Sequence, residues 1–208
     1  MNVKLHKNPS KDISKRNDTL LVLGDGDSMP GDLDRFLRWG IGHDVGALGR
    51  AIKAYPGYVR HWFCGDGDLS IWWAKNLPNG DGTIRHCMGD VDGFDVDWDL
   101  EQDDYGYCTI TGESNLGRMH GSSAMFGVLC GLALGYEKIV LAGCPMDMNG
   151  HYYFPEKKKD TLGPVWLGVD FMAWIDFSLQ EEAKKVRSMS GYTAKILGNA
   201  DKEFVREM

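Results

Sequence analysis

The chain has 208 residues, 43% of them hydrophobic and 25% charged, a length and mixture suited to one globular domain with a substantial core. A formal net charge of −7 excludes a protein that seeks nucleic acid or anionic membrane through its overall charge. Five cysteines without a Cys-x-x-Cys pair read as small buried residues of a reducing compartment, and the cytoplasm is the expected location.

No apolar run approaches the ~20 residues that span a bilayer, and no signal peptide is expected. Lys4, Lys7, Lys11, Lys15 and Arg16 stand among few acids, so residues 1–17 are expected to form a mobile basic arm ahead of a single domain, 18–208. Leu20–Leu23 reads as a short buried strand. It runs into Gly24-Asp-Gly-Asp-Ser-Met29, where Gly24 and Gly26 permit a sharp turn and a close approach to a ligand. Ser28 is placed to cap the helix that follows, and Pro30 suits its first turn. Free amides at that helix start would face an anion, although Asp25 and Asp27 repel one.

Gly31–Trp39 is the first predicted helix, followed by strands at Asp44–Leu48 and Arg60–Cys64. Gly65-Asp-Gly-Asp68 then echoes Gly24–Asp27, again between an apolar run and a predicted helix, Leu69–Lys75. A strand is expected at Thr83–Cys87. The acidic run Asp90–Asp99 reads as a solvated edge strand or loop, with a Ca²⁺ or Mg²⁺ site as the alternative; extended, it places Asp95, Asp97 and Asp99 on one face and Val96 and Trp98 on the other. Another strand follows at Tyr107–Ile110.

Arg118-Met-His-Gly-Ser-Ser123 leads into a helix, Ser122–Leu134, that is apolar nearly all round and rich in small residues, so it should lie deep against a sheet. Gly135 stops it, and Lys138–Leu141 returns as a central strand ending at Gly143. Arg118, His120, Ser122 and Ser123 crowd the helix start, where N–H groups and a guanidinium fork suit phosphate or carboxylate; the plain alternative is that Ser122 only caps the helix and Arg118 pairs with an acid. Pro155–Pro164 is a polar loop placed as a lid, or else a solvated surface loop. A helix at Val169–Met189 and a strand at Ala194–Leu197 close the chain. This alternation predicts an α/β fold: a single Rossmann-like domain with a mainly parallel sheet and helices on both faces.

Ala133-Leu-Gly-Tyr-Glu-Lys-Ile-Val-Leu-Ala-Gly143, followed by Asn149-Gly-His-Tyr-Tyr-Phe154, resembles the bacterial sialyltransferases that use a CMP-sugar donor. It is similar also to a wider Rossmann-like family that includes the archaeal hydroxymethylpterin diphosphokinase. The resemblance covers about a third of the chain and takes in the Gly24–Met29 turn. It implies nucleotide contact at Gly24, Gly26, Ser28 and the loop from Gly143, Arg118 near a phosphate or substrate carboxylate, and Tyr152 or Tyr153 at a leaving phosphate. The chain departs from the family at Gly49, where the family has Asn, at Cys144-Pro145, where it has Asp, and at Gly163–Val169, which lacks the family's catalytic His.

Glycosyl transfer needs a base for the acceptor hydroxyl and positive charge for the departing phosphate. His120 and His151 are the favoured bases; Asp25, Asp27 and Asp147 are the alternatives, as bases or as ligands of a Mg²⁺ on a pyrophosphate. No Walker A sequence and no Gly-x-Ser-x-Gly occurs, which argues against a P-loop kinase and an α/β-hydrolase. The seven tryptophans are expected chiefly in the core or at a subunit contact, which leaves a homo-oligomer open. The reading is a glycosyltransferase-like protein for a nucleotide or nucleotide-sugar. Its alternatives are a Mg²⁺-dependent diphosphokinase and a non-catalytic nucleotide-binding protein.

Overall fold

A computed structural model describes residues 4–5, 11–65, 82–88, 92–98, 100–102, 108–110, 118–119, 122–147 and 164–207. Seven strands form one parallel sheet, β2 (Thr19–Leu23), β3 (Asp44–Leu48), β4 (His61–Cys64), β5 (Ile84–Met88), β6 (Val96–Trp98), β10 (Lys138–Ala142) and β11 (Val186–Ser188). A short β1 (Lys4–Leu5) adds antiparallel to β6, giving the order β1-β6-β5-β4-β3-β2-β10-β11. The chain is thus an α/β protein of Rossmann-like architecture, with β2 and β10 side by side in the interior of the sheet. Among the described residues no helix is long and apolar enough to cross a membrane.

Strand alternation divides the core in two. Leu20 and Val22 of β2, with Ile139 and Leu141 of β10, face α2 (Ser123–Ala133); Leu21, Leu23, Val140 and Ala142 face α1 (Met29–Leu37), which answers with Met29, Leu33 and Phe36. Helix α2 lies close on the sheet because Gly127 and Gly131, one turn apart, present no side chain to it. A Cβ on Gly131 would stand 2.7 Å from Leu20 Cδ2 and 2.9 Å from Ile139 Cδ1.

Polar residues also cross this interior. On the α2 face, Trp98 Nε1 donates to His86 Nδ1 (3.1 Å), and His86 Nε2 meets His61 Nδ1 (3.0 Å). His61 Nε2 reaches the Tyr136 hydroxyl (2.8 Å), which donates to Asp44 Oδ2 (2.7 Å). An indole N–H only donates, so His86 carries its proton on Nε2 and gives it to His61, which carries its own on Nε2 and gives it to Tyr136. Both imidazoles are neutral. Burial pushes His61 down to about 3 and His86 well below the ordinary range, with Arg60 and His61 respectively adding to the effect. Burial works against ionised Asp44, but hydrogen bonds from the Arg16 amide, Tyr136 and Asn17 outweigh it and hold the carboxyl below its usual range.

Contacts of this kind also hold residues 11–17, the last seven residues of the expected mobile arm. Lys11 donates to Asp95 Oδ2 (2.7 Å) and to the Thr83 carbonyl, Arg60 donates to the Asp12 and Ser14 carbonyls, and Arg16 lies over the Tyr58 ring. The acidic run is corrected in the same way: Val96–Trp98 is a sheet strand covered by β1, and Asp95 and Asp97 are buried, not solvated.

Three boundaries also change. The expected helix Val169–Met189 ends at Ser178; α3 (Pro164–Ser178) is followed by a 3₁₀ turn, Glu181–Lys185, and then by β11, whose Val186 and Ser188 are fully buried beside β10. Ala194–Leu197 is not a strand but lies in α4 (Gly191–Leu197), where Thr193, Ala194 and Leu197 share a buried face at helical spacing; α5 (Lys202–Arg206) follows. Tyr107–Ile110 contributes β8 (Cys108–Ile110), which sits apart in a three-stranded antiparallel sheet with β7 (Leu100–Gln102) and β9 (Arg118–Met119). The expected helix Leu69–Lys75 lies outside the described residues.

Two outcomes follow from this packing. Gly131→Val should cost about 1–3 kcal/mol in urea unfolding, because the side chain has no room between Leu20 and Ile139. Stability should also fall with acidification. His61 and His86 have folded-state pKa values below their unfolded ones, so the unfolded chain binds more protons as pH drops below about 6.5. Unfolding free energies from urea titrations between pH 7 and pH 4.5 should therefore decline steadily, by up to about 1.4 kcal/mol per pH unit for each imidazole, with a shallower slope in His61→Gln.

Candidate functional site

Strands leave β2 in opposite directions: β3 to β6 succeed one another on one side, while β10 and β11 take the other. The carboxyl ends of β2 and β10 therefore flank the point where strand order reverses, the place at which sheets of this class bind ligands. Two of the sequence-predicted loops meet there. Gly24 N–H donates to the Ala142 carbonyl (2.8 Å) and Gly26 N–H to the Gly143 carbonyl (2.9 Å). The close approach that these glycines permit is to the neighbouring loop: a Cβ on Gly24 would lie 2.5 Å from the Gly143 oxygen, and one on Gly26 2.5 Å from Pro145 Cδ.

The loop Gly143–Asp147 is also held from its other side. Tyr192 N–H donates to the Pro145 carbonyl (2.8 Å) and Thr193 Oγ1 to the Cys144 carbonyl (2.7 Å), while Gly191 at φ +70° leaves no room for a side chain against Pro145. Between these clasps Met146 takes a left-handed backbone at φ +49°, the one non-glycine with positive φ among the described residues. Such a conformation persists only where its surroundings enforce it, and it clusters at functional sites. Asp147, half-buried, follows directly.

Asp32 ties the three turns together. Its Oδ2 accepts from Gly143 N–H (3.0 Å), Ser190 Oγ (2.6 Å) and Ser28 Oγ (3.0 Å), and its Oδ1 faces Arg35 (3.4 Å). Arg35 donates in turn to the Met189 carbonyl. Ser28 and Ser190 are also 2.8 Å apart, and each hydroxyl has one proton, so the shorter contact gives the proton of Ser190 to Asp32 and leaves Ser28 to share its own between the two. The expected Ser28 cap is corrected accordingly: Ser28 occupies the N-cap position of α1 without a side-chain cap bond, because its hydroxyl is committed to Asp32 and Ser190. Cys144, behind this junction, is buried, and burial, Asp32 and Asp25 push its thiol far up, away from nucleophilic chemistry.

On the β3 side of the edge, Asp25 Oδ2 pairs with Arg50 Nη2 at 3.1 Å. Asp27 is half-buried in the same turn. Further along, Gly65 follows β4 at the same edge as Gly24, and it faces Ser123 at the start of α2 and Met88 at the end of β5. Ser122 caps α2 by accepting from Met125 N–H (3.4 Å), the plainer of its two expected roles. Arg118 lies on β9, opposite Thr109 in the small sheet. His120, His151, Tyr152, Tyr153 and most of the expected lid lie outside the described residues.

Gly24, Asp25, Gly26, Asp27, Ser28, Gly143 and Asp147 are thus brought to one edge, with Ser122 at the end of a helix that packs on the same strands. Three participants were missed in the sequence. Asp32 carried the signal of an acid in a helix's first turn, Ser190 fell in the gap between the expected helix Val169–Met189 and the expected strand Ala194–Leu197, and Arg50 stood next to the noted departure at Gly49. His43 binds the Ile41 carbonyl and the Tyr55 hydroxyl, and His61 and His86 serve the core. Trp62 donates to the Gly49 carbonyl and stacks on Phe94, and Trp174 is buried, so both pack in the core as expected. Among the described residues no group of three His, Cys, Asp or Glu side chains is placed to hold a metal ion.

No model of a known protein family, no curated protein and no solved structure matches this chain.

Asp32→Asn should destabilise the fold by about 1–3 kcal/mol in urea unfolding, because an amide loses the charge that binds two hydroxyls and a buried N–H. Ser190→Ala, which leaves Ser28 to donate in its place, should cost less.

Proposed function

We propose that the protein binds a nucleotide or nucleotide-sugar at the carboxyl edge of its sheet, beside the β2–β10 junction, and transfers a glycosyl group from that donor to an acceptor. The observation that carries this reading is the reversal of strand order between β2 and β10, with a glycine turn on each side of it. The strained Met146 in the second turn, and the N-terminus of α2 directed to the same edge, support it. The choice of donor and of group transfer rests on the resemblance of Ala133–Gly143 and Asn149–Phe154 to the CMP-sugar-dependent sialyltransferases. In this reading Arg118 takes a phosphate or substrate carboxylate, His120 or His151 accepts the acceptor's proton, Tyr152 or Tyr153 meets the leaving phosphate, and Asp147 lines the site.

Melting temperatures measured against a panel of nucleotides and nucleotide-sugars test the reading, since a ligand bound only by the native state raises its stability. A CMP-containing ligand is expected to give the largest rise. Arg118→Ala should weaken that ligand by about 1.5–3 kcal/mol without changing the unliganded melting temperature. Donor hydrolysis without added metal identifies the transferase; Mg²⁺-dependent turnover of ATP identifies the diphosphokinase instead.

A further inference from the structure

We propose that Arg50, oriented by Asp25, is a second cation, besides Arg118, that receives the anionic group of the ligand at this edge, and that it does so without a divalent metal. This rests on the nucleotide reading above and adds to Arg118 a further residue that recognises the phosphate.

The placement follows from the sheet. Leu23 and Ala47 are partners in adjacent parallel strands, so the residues that leave β2 and β3 emerge together at the carboxyl edge. Asp25 is two residues past β2 and Arg50 two past β3. The turn that carries Arg50 is fixed: Gly49 sits at φ +44°, its carbonyl accepts from the buried Trp62 indole at 2.8 Å, and Ala51, next along, is fully buried. A side chain on so rigid a mount loses little freedom when a ligand arrives.

Charge makes the same argument. Asp25, Asp27 and Asp147 all lie in the two turns at the junction, on a protein of net charge −7, so an approaching phosphate meets repulsion unless a cation answers it. Arg35, the other arginine at this edge, is turned to Asp32 and the Met189 carbonyl on the far side of the junction. Arg50 is 23% and Asp25 17% exposed, shielded enough for their charges to be felt strongly and open enough to meet a ligand. A guanidinium beside a carboxylate supplies the positive charge that a Mg²⁺ would otherwise bring to Asp25. The same pair therefore argues for anion recognition and against Asp25 as a metal ligand.

Titration calorimetry with CMP, CDP, UDP, ADP and inorganic pyrophosphate, in EDTA and again in Mg²⁺, tests the assignment. The best wild-type ligand should bind equally well in both buffers. Arg50→Ala should weaken it tenfold or more. Arg50→Lys should recover part of the loss, and it keeps a partner for Asp25 where Arg50→Ala lowers the melting temperature. Asp25→Asn should also weaken binding, although it removes a negative charge, because the guanidinium loses its orientation. Wild-type affinity retained in Arg50→Ala, or binding that EDTA abolishes, overturns the proposal and leaves the nucleotide reading intact. Tighter binding in Asp25→Asn overturns the positioning role of Asp25. A wild type that binds none of the five probes overturns the nucleotide reading itself.

Discussion

Trp98, His86, His61, Tyr136 and Asp44 form a single file of hydrogen bonds beneath α2, inside a layer otherwise made of apolar side chains. Polar groups in such a place are costly unless each finds its partner. Here the proton order has one solution, starting from a group that only donates and ending on a carboxylate that only accepts. The file crosses β6, β5, β4 and β3 in turn, so shifting any of these strands by one residue would send its polar side chain to the opposite face and strand the others. It thus specifies register across the half of the sheet that carries the Arg50 turn. Asp44 anchors the far end and draws in residues 16 and 17, and with them the basic segment that charge alone would leave in solvent.

The other half of the sheet is organised by interlocked turns. Gly24–Ser28, Gly143–Pro145 and Ser190–Thr193 fill the space between the ends of β2, β10 and β11, and Asp32 joins all three through Ser28, Gly143 and Ser190. In the proposed reading a ligand at this edge sits over the junction and toward β3 and β4, where Asp25, Arg50, Gly65 and the start of α2 are found. The turns are a rigid floor in that reading, and recognition is proposed for the side chains beside them.

Much of this was legible in the chain. The runs Leu20–Leu23, Asp44–Leu48 and Lys138–Leu141 are mainly apolar and short, with glycine at the next position or the one after, which is what a strand buried on both faces and ending in a sharp turn requires. The small residues of Ser122–Leu134 announced a helix pressed onto a sheet. What misled was period without context. Ala194–Leu197 is as apolar as a strand but folds as helix, because Gly191 redirects the chain and Thr193, Ala194 and Leu197 need one face. Val186–Ser188 is polar at its centre and became a strand because the edge of β10 was open to it.

Local order and the glycine turns were therefore determined by the sequence itself, since both depend on residues a few positions apart: alternation of apolar side chains for strands, absence of Cβ for turns. The partners of buried polar groups were decided only in three dimensions. His61 and His86 are 25 residues apart, Tyr136 and Asp44 92, Ser190 and Asp32 158, and nothing in the immediate surroundings of any of them says that the other will arrive. The same holds for Arg50 and Asp25. Parallel strands must return through long connections, so neighbours in the sheet are distant in the chain, and the charges at its edge acquire their meaning only when the sheet is assembled.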